Sequence, residues 1–284
     1  MAIKLVVDST ADLSQEIIDR YDIQVVPLNV HFGEELYKDG VDLNTETFFE
    51  KLKGSKVMPR TSQPSPGDFH KIYTSLLAEG HSVISIHISA NLSGTYQSAT
   101  IAKNMLSDAD ITIIDSKSAS LGLGLIAYQC AKLIEEGEKD TRTITALINN
   151  IIEDQIIYFG VDTLEFLQKN GRIGKASALI GTLLNVKPIL TLNEEGIVAP
   201  AGKVRGKNKV IPYLVDKAVE KFGNEEVNIA IAHALSEDQR DALLSTAKEK
   251  LNVVDVLEGN IGSVIGTNAG PGVIAIVVHK RSAI

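Results

Sequence analysis

Short apolar runs separated by longer amphipathic stretches organise the first half of the chain. Ile3 to Val7 is an apolar run ending in Asp8-Ser9-Thr10, and Ser14, Ile17 and Ile18 continue it as a helix face. Ile23 to Val30 reads as a second strand and Phe32 to Lys38 as a small excursion with turns at Gly33 and Asp39-Gly40. Thr45 to Leu52 has helical spacing. Met58 to Asp68 is a polar loop dense in Pro and Ser, and its end is a helix start with Ser65 at the N-cap, Pro66 at N1 and Asp68 at N3. Val83 to Ile88 reads as a buried strand that breaks into polar text and re-enters as a helix at about Leu92. Strand Ile111 to Ile114, the loop Asp115 to Ser120, and helices Leu121 to Glu136 and Thr141 to Ile152 complete this half.

Strands alternating with helices at this spacing imply right-handed crossovers and a mainly parallel sheet. From Gln155 the texture changes. A strand-like run to Val161 is followed by helices Thr163 to Lys169 and Lys175 to Leu184, with Asn170-Gly171-Arg172-Ile173-Gly174 between them. Ile189 to Leu192 and Ile197 to Val204 pair as a hairpin through Asn193-Glu194-Glu195-Gly196. Helices Lys207 to Phe222 and Glu237 to Leu251 then alternate with strands Val227 to His233, Val253 to Val256 and Val273 to Val278. The expected architecture is two α/β domains. Residues 1–155 form a mainly parallel α/β/α domain, and residues 156–284 a smaller α+β domain with a mixed or antiparallel sheet.

Composition changes this picture only by exclusion. A net charge of −8 over 284 residues argues against nucleic acid or anionic membrane as a general partner. Tryptophan is absent and aromatics are 5%, so base-stacking platforms are not expected, and the apolar volume comes from aliphatic side chains. The N-terminus runs into a strand with no basic region or cleavage site, and no apolar run reaches the ~18 residues of a membrane span. The expected compartment is the cytoplasm, without stable membrane insertion. Cys130, the single cysteine, lies in an apolar helical stretch and reads as a small core residue.

Three strand ends carry similar polar text: Asp8-Ser9-Thr10, Ser89 to Thr95, and Asp115 to Ser120. In an open α/β sheet these are the carboxyl ends of the strands, where ligands bind. Ser93, Gly94 and Thr95 would occupy the first turn of a helix, whose unpaired N–H groups and dipole suit an anion, and Gly94 allows close approach. Ser89 or Ser93 acting only as a cap is the competing reading. Gly122-Leu123-Gly124-Leu125-Ile126-Ala127 matches a dinucleotide-binding pattern, but its glycines fall inside an apolar helix rather than in the turn after a strand. They are expected to permit close helix packing. The six histidines are scattered without metal-ligand spacing. His87 and His233 sit in strands and read as core or edge residues. Arg172, Lys203, Arg205, Lys207 and Lys209 are basic text that suits a phosphate, a partner or plain solvation. The sequence offers a binding site without an evident catalyst, metal or cofactor.

Asp8-Ser9-Thr10, Thr61-Ser62-Gln63-Pro64, Leu92-Ser93-Gly94-Thr95-Tyr96, Asp115-Ser116-Lys117, Gly171-Arg172-Ile173 and Gly270-Pro271-Gly272 occur in the order seen in the DegV family. The chain resembles that family over essentially its whole length. Its members are bacterial fatty-acid-binding proteins that serve as the lipid-carrying component of fatty acid kinase. The resemblance implies a non-catalytic protein that buries one long-chain fatty acid while a separate kinase subunit phosphorylates the carboxylate. It implies that Thr61 and Ser93 bind the carboxylate through hydroxyls and that Ser62 and Gly94 supply backbone N–H groups. Arg172 and Arg205, with Lys203 beside them, would belong to a surface for the kinase or the acyl phosphate, and the second domain would cover the acyl chain. Many members carry histidine in the C-terminal T-H-x-G-P-G segment, where this chain has Thr267-Asn268-Ala269-Gly270-Pro271-Gly272. Asn268 would join the same network, but it does not titrate. The competing reading is a small-molecule kinase or an enzyme binding a phosphorylated metabolite at the serine-rich strand ends.

Overall fold

The computed structural model describes residues 2–181 and 186–281. The first strand, β1 (Ile3–Asp8), passes through a 3-10 turn into α1 (Gln15–Arg20), and β2 (Gln24–Val26) returns beside it. The expected single strand Ile23 to Val30 is divided. Pro27 cannot donate to a ladder, and after it the chain leaves the first sheet to begin β3 (Asn29–Phe32) in another. β4 (Glu35–Lys38) folds back on β3, with Gly33 at φ +65° in the turn. Helix α2 (Thr45–Gly54) follows. The segment expected to be a plain polar loop contains a short strand, β5 (Arg60–Ser62), which pairs with β3. Helix α3 (Pro66–Ala78) starts as its text demands, with a reciprocal Ser65–Asp68 capping box and Pro66 in the first turn.

Next come β6 (Ser82–His87), α4 (Thr95–Asn104), β7 (Ile111–Asp115), α5 (Leu121–Glu135) and α6 (Thr141–Asp154). β2, β1, β6 and β7 form a four-stranded, wholly parallel sheet in that order. One face packs Val6, Val26 and Val83 against Phe69 and Tyr73 of α3 and Ala99 and Ala102 of α4. The other packs Leu5, Val7, Ile84 and Ile86 against Leu123, Ile126 and Cys130 of α5.

Beyond α6 lie β8 (Ile156–Gly160), α7 (Glu165–Lys169), β9 (Lys187–Leu192), β10 (Val198–Val204), α8 (Val210–Phe222), β11 (Glu226–His233), α9 (Glu237–Lys250), β12 (Asn252–Asn260), α10 (Ser263–Ala269) and β13 (Ile274–Lys280). Six of these strands form a mixed sheet in the order β10-β9-β8-β13-β11-β12, in which only β11 and β12 run parallel. Side chains alternate across it. Ile229, Ile231, Ile274 and Ile276 face α8 and α9, whereas Ala230, Ala232, Ala275 and Val277 turn toward the first half.

Two expectations in this half are corrected. The helix expected at 175–184 is a 3-10 turn over Gly174–Leu179, and residues 182–184 lie outside the described residues. The strand expected at Val253 to Val256 extends over nine residues, because it runs the length of β11 at the sheet edge.

Helix α5 lies between the two large sheets. Leu123 and Ile126 pack toward the parallel sheet, and Leu121 and Leu125 toward the mixed one. Its glycines are required by proximity: a Cβ on Gly124 would lie 2.4 Å from the Ala11 carbonyl oxygen, and one on Gly122 would lie 2.1 Å from Ser118 Oγ. Close packing, not a nucleotide, accounts for this glycine pattern.

Candidate functional site

The parallel register brings the carboxyl ends of β1, β6 and β7 to one edge, as the polar text implied. Much of that text is consumed internally. Asp8 Oδ1 accepts from Thr10 N at 3.1 Å, while Asp8 Oδ2 accepts from Ile88 N at 2.9 Å and lies 3.1 Å from His87 Nδ1. His87 Nε2 is 2.7 Å from Ser85 Oγ, which is 2.7 Å from the Tyr73 hydroxyl. All four side chains are buried, and burial raises the Tyr73 phenol above its ordinary range. Asp115 Oδ1 accepts from the main chain of Ala90 and Lys117. These groups hold loops in place, so His87 is a satisfied core histidine and its partners are spent.

What remains at the edge opens into a cavity between the two halves. The parallel-sheet half contributes Leu28, Ile88, Leu92 and the start of α5 from Ala119 to Gly122. The mixed sheet contributes Ile157 and Phe159 of β8, Ala232 of β11, and Ala275 and Val277 of β13, with Val273 just before it. Their i, i+2 spacing places each strand's residues on one face. Helix α10 adds Val264, Ile265, Asn268 and Ala269, which share one helical stripe, and Leu192 and Val198 close the side. The cavity volume is about 110 Å³. Among its described lining residues the charged side chain is Arg172, and the polar ones Thr61, Ser62, Gln63, Ser93, Ser120 and Asn268.

Most of those polar groups gather at one end. Strand β5 carries Thr61 opposite Val30 and Ser62 opposite Asn29. Because neighbours on a strand face opposite ways, the two hydroxyls diverge. Thr61 Oγ1 meets Asn268 Nδ2 at 3.5 Å, while Ser62 Oγ accepts from Asn29 Nδ2 at 3.3 Å and lies 3.0 Å from His31 Nε2. Helix α4 begins later than its text suggested. Gly94 is the N-cap and Thr95 the first helical residue, because Leu92 N and Ser93 N are turned back onto the Ser89 carbonyl oxygen. No side chain of the N-cap satisfies its first turn. Ser93 Oγ lies 2.8 Å from Thr95 Oγ1, and a Cβ on Gly94 would meet Gln63 Nε2 at 2.9 Å.

Arg172 is exposed. It donates through Nη1 to Asn170 O at 2.7 Å and through Nε to Leu92 O at 3.4 Å, tying the loop after α7 to the loop carrying Ser93. Asn268 lies in α10, a helix that the sequence pattern did not predict. Its Nδ2 donates to Val264 O at 2.8 Å.

Thr61, Ser62, Ser93, Asn268 and Arg172 therefore border one cavity, with Gly94 directly beside Ser93. Lys203 and Arg205 do not border it. Both are exposed, Lys203 near the far end of β10 and Arg205 just past it, Lys203 being five residues, or about 17 Å of strand, beyond the cavity-lining Val198. Gln63 borders the cavity too, and the sequence showed it only as part of a motif. Thr95, expected in the anion-binding first turn, does not border the cavity and instead holds Ser93.

A family model described as an uncharacterised protein of the DegV family matches residues 2–281. A DegV domain-containing protein of Deinococcus radiodurans is 36% identical over 286 residues, covering 100% of both chains. A DegV family protein from Thermus thermophilus, whose structure concerns fatty acid binding, superposes with a TM-score of 0.93 at 36% identity, covering 99% of this chain and 100% of that one. A stearic-acid-binding protein from Eubacterium ventriosum superposes with a TM-score of 0.90 at 27% identity, covering 99% and 98%. With the family model spanning almost the whole sequence and relatives of equal length above 30% identity, the chain belongs to the DegV family.

Proposed function

We propose that this protein is a carrier that buries one long-chain fatty acid and presents its carboxyl group to a separate kinase subunit, which forms the acyl phosphate. The observation that carries the reading is the distribution of chemistry along the cavity: an aliphatic channel between the halves, with Thr61, Ser93 and Asn268 together at one end. Burying alkyl surface is worth about 0.8 kcal/mol per methylene, or roughly 11 for fourteen of them before the costs of binding. A desolvated headgroup must be hydrogen-bonded, and hydroxyls beside an uncapped helix start meet that need. The fatty acids bound by structural relatives support the same ligand class.

In this reading Thr61 and Ser93 donate to the headgroup from opposite sides. Gly94 and Ser62 bring main chain close, and Arg172 stands at the exposed mouth facing the partner. Lys203 and Arg205 would serve as a second contact for the kinase, remote from the reacting group. The chain itself supplies position rather than chemistry.

Native mass spectrometry of freshly purified protein tests the proposal. The expected result is protein carrying one equivalent of fatty acid, lost on delipidation and regained with palmitate. A co-purifying sugar phosphate, or protein that takes up no fatty acid, would favour the enzyme reading instead.

A further inference from the structure

The side-chain amide of Asn268 is oriented by its own helix. Nδ2 donates to the Val264 carbonyl oxygen at 2.8 Å, one turn back, and faces Thr61 Oγ1 at 3.5 Å. A flipped amide would set Oδ1 against the Val264 oxygen, acceptor against acceptor, so that carbonyl decides which way the group points. Oδ1 is left buried at the cavity border with no hydrogen-bond partner among the described residues. A buried acceptor requires a donor.

A carboxylate has none to offer, since every lone pair on it is an acceptor. A protonated carboxyl has one: its O–H reaches an acceptor while its carbonyl oxygen still accepts from hydroxyls such as Thr61 and Ser93. We propose that Asn268 Oδ1 receives the O–H of a protonated acid, so that this cavity selects the neutral form of its ligand and the bound carboxyl titrates above its ordinary range. The inference deepens the carrier reading and rests on it.

The nearby cations act in the opposite sense and are exposed. The carboxyls packed around α10 act in the same sense from its other end: buried Asp39 on Ser263, with Asp12 near it, and the exposed Glu46 and Glu50 of α2. Strand β5 brings Arg60, β3 brings His31 against Ser62, and α7 with the following loop brings Lys169 and Arg172. The loop from Ser89 to Gly94 and helix α10 carry no ionisable side chain. Arg60, Lys169 and Arg172 are exposed to water, Lys169 is paired with Glu165, and Arg172 donates to main-chain oxygens. Oδ1 acts from inside the site.

Protein loaded with palmitate carrying carbon-13 at the carboxyl tests this by NMR titration from about pH 4 to about pH 9. The midpoint of bound ligand is expected at least one unit above the value of about 4.3 typical of a glutamate carboxyl, which corresponds to a tenfold preference for the protonated form. Asn268→Leu, which removes Oδ1, should return the midpoint toward that value. A wild-type midpoint less than one unit above that value overturns the inference and leaves the carrier reading standing, as does a raised midpoint unchanged in Asn268→Leu. No bound resonance at any pH overturns both. A second readout uses wild-type protein alone. Palmitamide, which has a donor and no charge, should displace palmitate at least tenfold better than methyl palmitate, which has none; equal displacement overturns the inference.

Discussion

The Ser89 hydroxyl donates to the main-chain oxygen of Gly196 at 2.9 Å, joining residues 107 apart in sequence. Beside it, Asn91 Nδ2 donates to the Glu195 carbonyl oxygen at 2.7 Å. The β9–β10 turn thus latches onto the loop that leads to Ser93, and the second half of the chain sets where that cavity-lining hydroxyl of the first half stands. Gly196 has φ +72°, and a Cβ there would lie 2.2 Å from Ser89 Oγ. Gly196→Ala should therefore destabilise the fold by more than the ~1–2 kcal/mol of left-handed strain alone. It should also weaken fatty acid binding more than Gly137→Ala, at a positive-φ glycine where an added Cβ would meet nothing within 4 Å and which has no part in the site. Urea denaturation and ligand displacement measured on both variants check this; equal binding losses would exclude the latch.

In the proposed carrier, Thr61→Ala and Ser93→Ala each remove one hydroxyl from a desolvated headgroup. Each should weaken binding by about 1.5–3 kcal/mol, roughly 10- to 150-fold, with an unchanged melting profile. Thr61→Ser should retain most of the affinity because the hydroxyl remains. Displacement of a fluorescent fatty acid gives the numbers, and wild-type affinity in both alanine variants would remove these residues from the headgroup.

Ala232 and Ala275 are paired across β11 and β13, and both border the channel. Their small side chains leave the cavity open there, where the proposed alkyl chain would run. Ala275→Leu should lower affinity for long acids far more than for short ones, shifting the preferred chain length down. A series of saturated acids, measured side by side on parent and variant, reads the shift; a uniform loss would place Ala275 outside the acyl path.

Arg172 stands at the mouth, while Lys203 lies further along β10 and Arg205 just past it. Arg172→Ala should bind fatty acid within several-fold of the parent yet support at least tenfold less acyl-phosphate formation at limiting carrier, since an arginine pairs planar anions that no alanine can hold. Lys203→Ala with Arg205→Ala should reduce turnover less. Steady-state assays with the kinase subunit rank the two, and the reverse ranking would move the reacting surface to β10.

Asp39 is buried and accepts from the Ser263 hydroxyl, with Asp8 and Asp12 nearby. Burial first, and the neighbouring negative charge of Asp8 after it, raise its carboxyl above the ordinary range, and burial does the same to Asp12. A carboxyl raised in the folded state binds protons there that the unfolded chain releases above about pH 4, so its contribution falls as pH rises through the folded value. Asp39→Asn should gain stability relative to the parent as pH is raised from about 5 to 8. His233 and His279, both lowered by burial, shift stability with pH in the opposite sense but are common to both proteins and cancel in the difference. Paired denaturation curves test it, and a pH-independent difference would show that Asp39 is ionised throughout.

Local signals were readable wherever a residue acts through its own neighbours. The Ser65-Pro66-Asp68 start of α3, the β9–β10 hairpin and the apolar strands of the parallel sheet follow from capping chemistry, turn residues and side-chain period, and the structure has all of them. The same local logic failed at Pro27, where a continuous apolar run hid a change of sheet, and at α10, where seven residues rich in small and polar side chains carry little periodicity.

The alternation of strands and helices, the polar strand ends and the family motifs can all be read from the chain, because each is a property of consecutive residues. Which hydroxyls remain for a ligand cannot. Asp8 and Ser89 look as available as Thr61 and Ser93 in the chain, yet Asp8 is taken up by His87 and Ser89 by the Gly196 carbonyl, whereas Thr61 and Ser93 border the cavity. Folding also makes Asn268 present an acceptor, since the Val264 carbonyl one helical turn away orients the amide, and it sets Lys203 and Arg205 apart from Arg172. Hydrogen-bond partners and the direction of a side chain depend on groups far apart in sequence, and only folding brings those groups together.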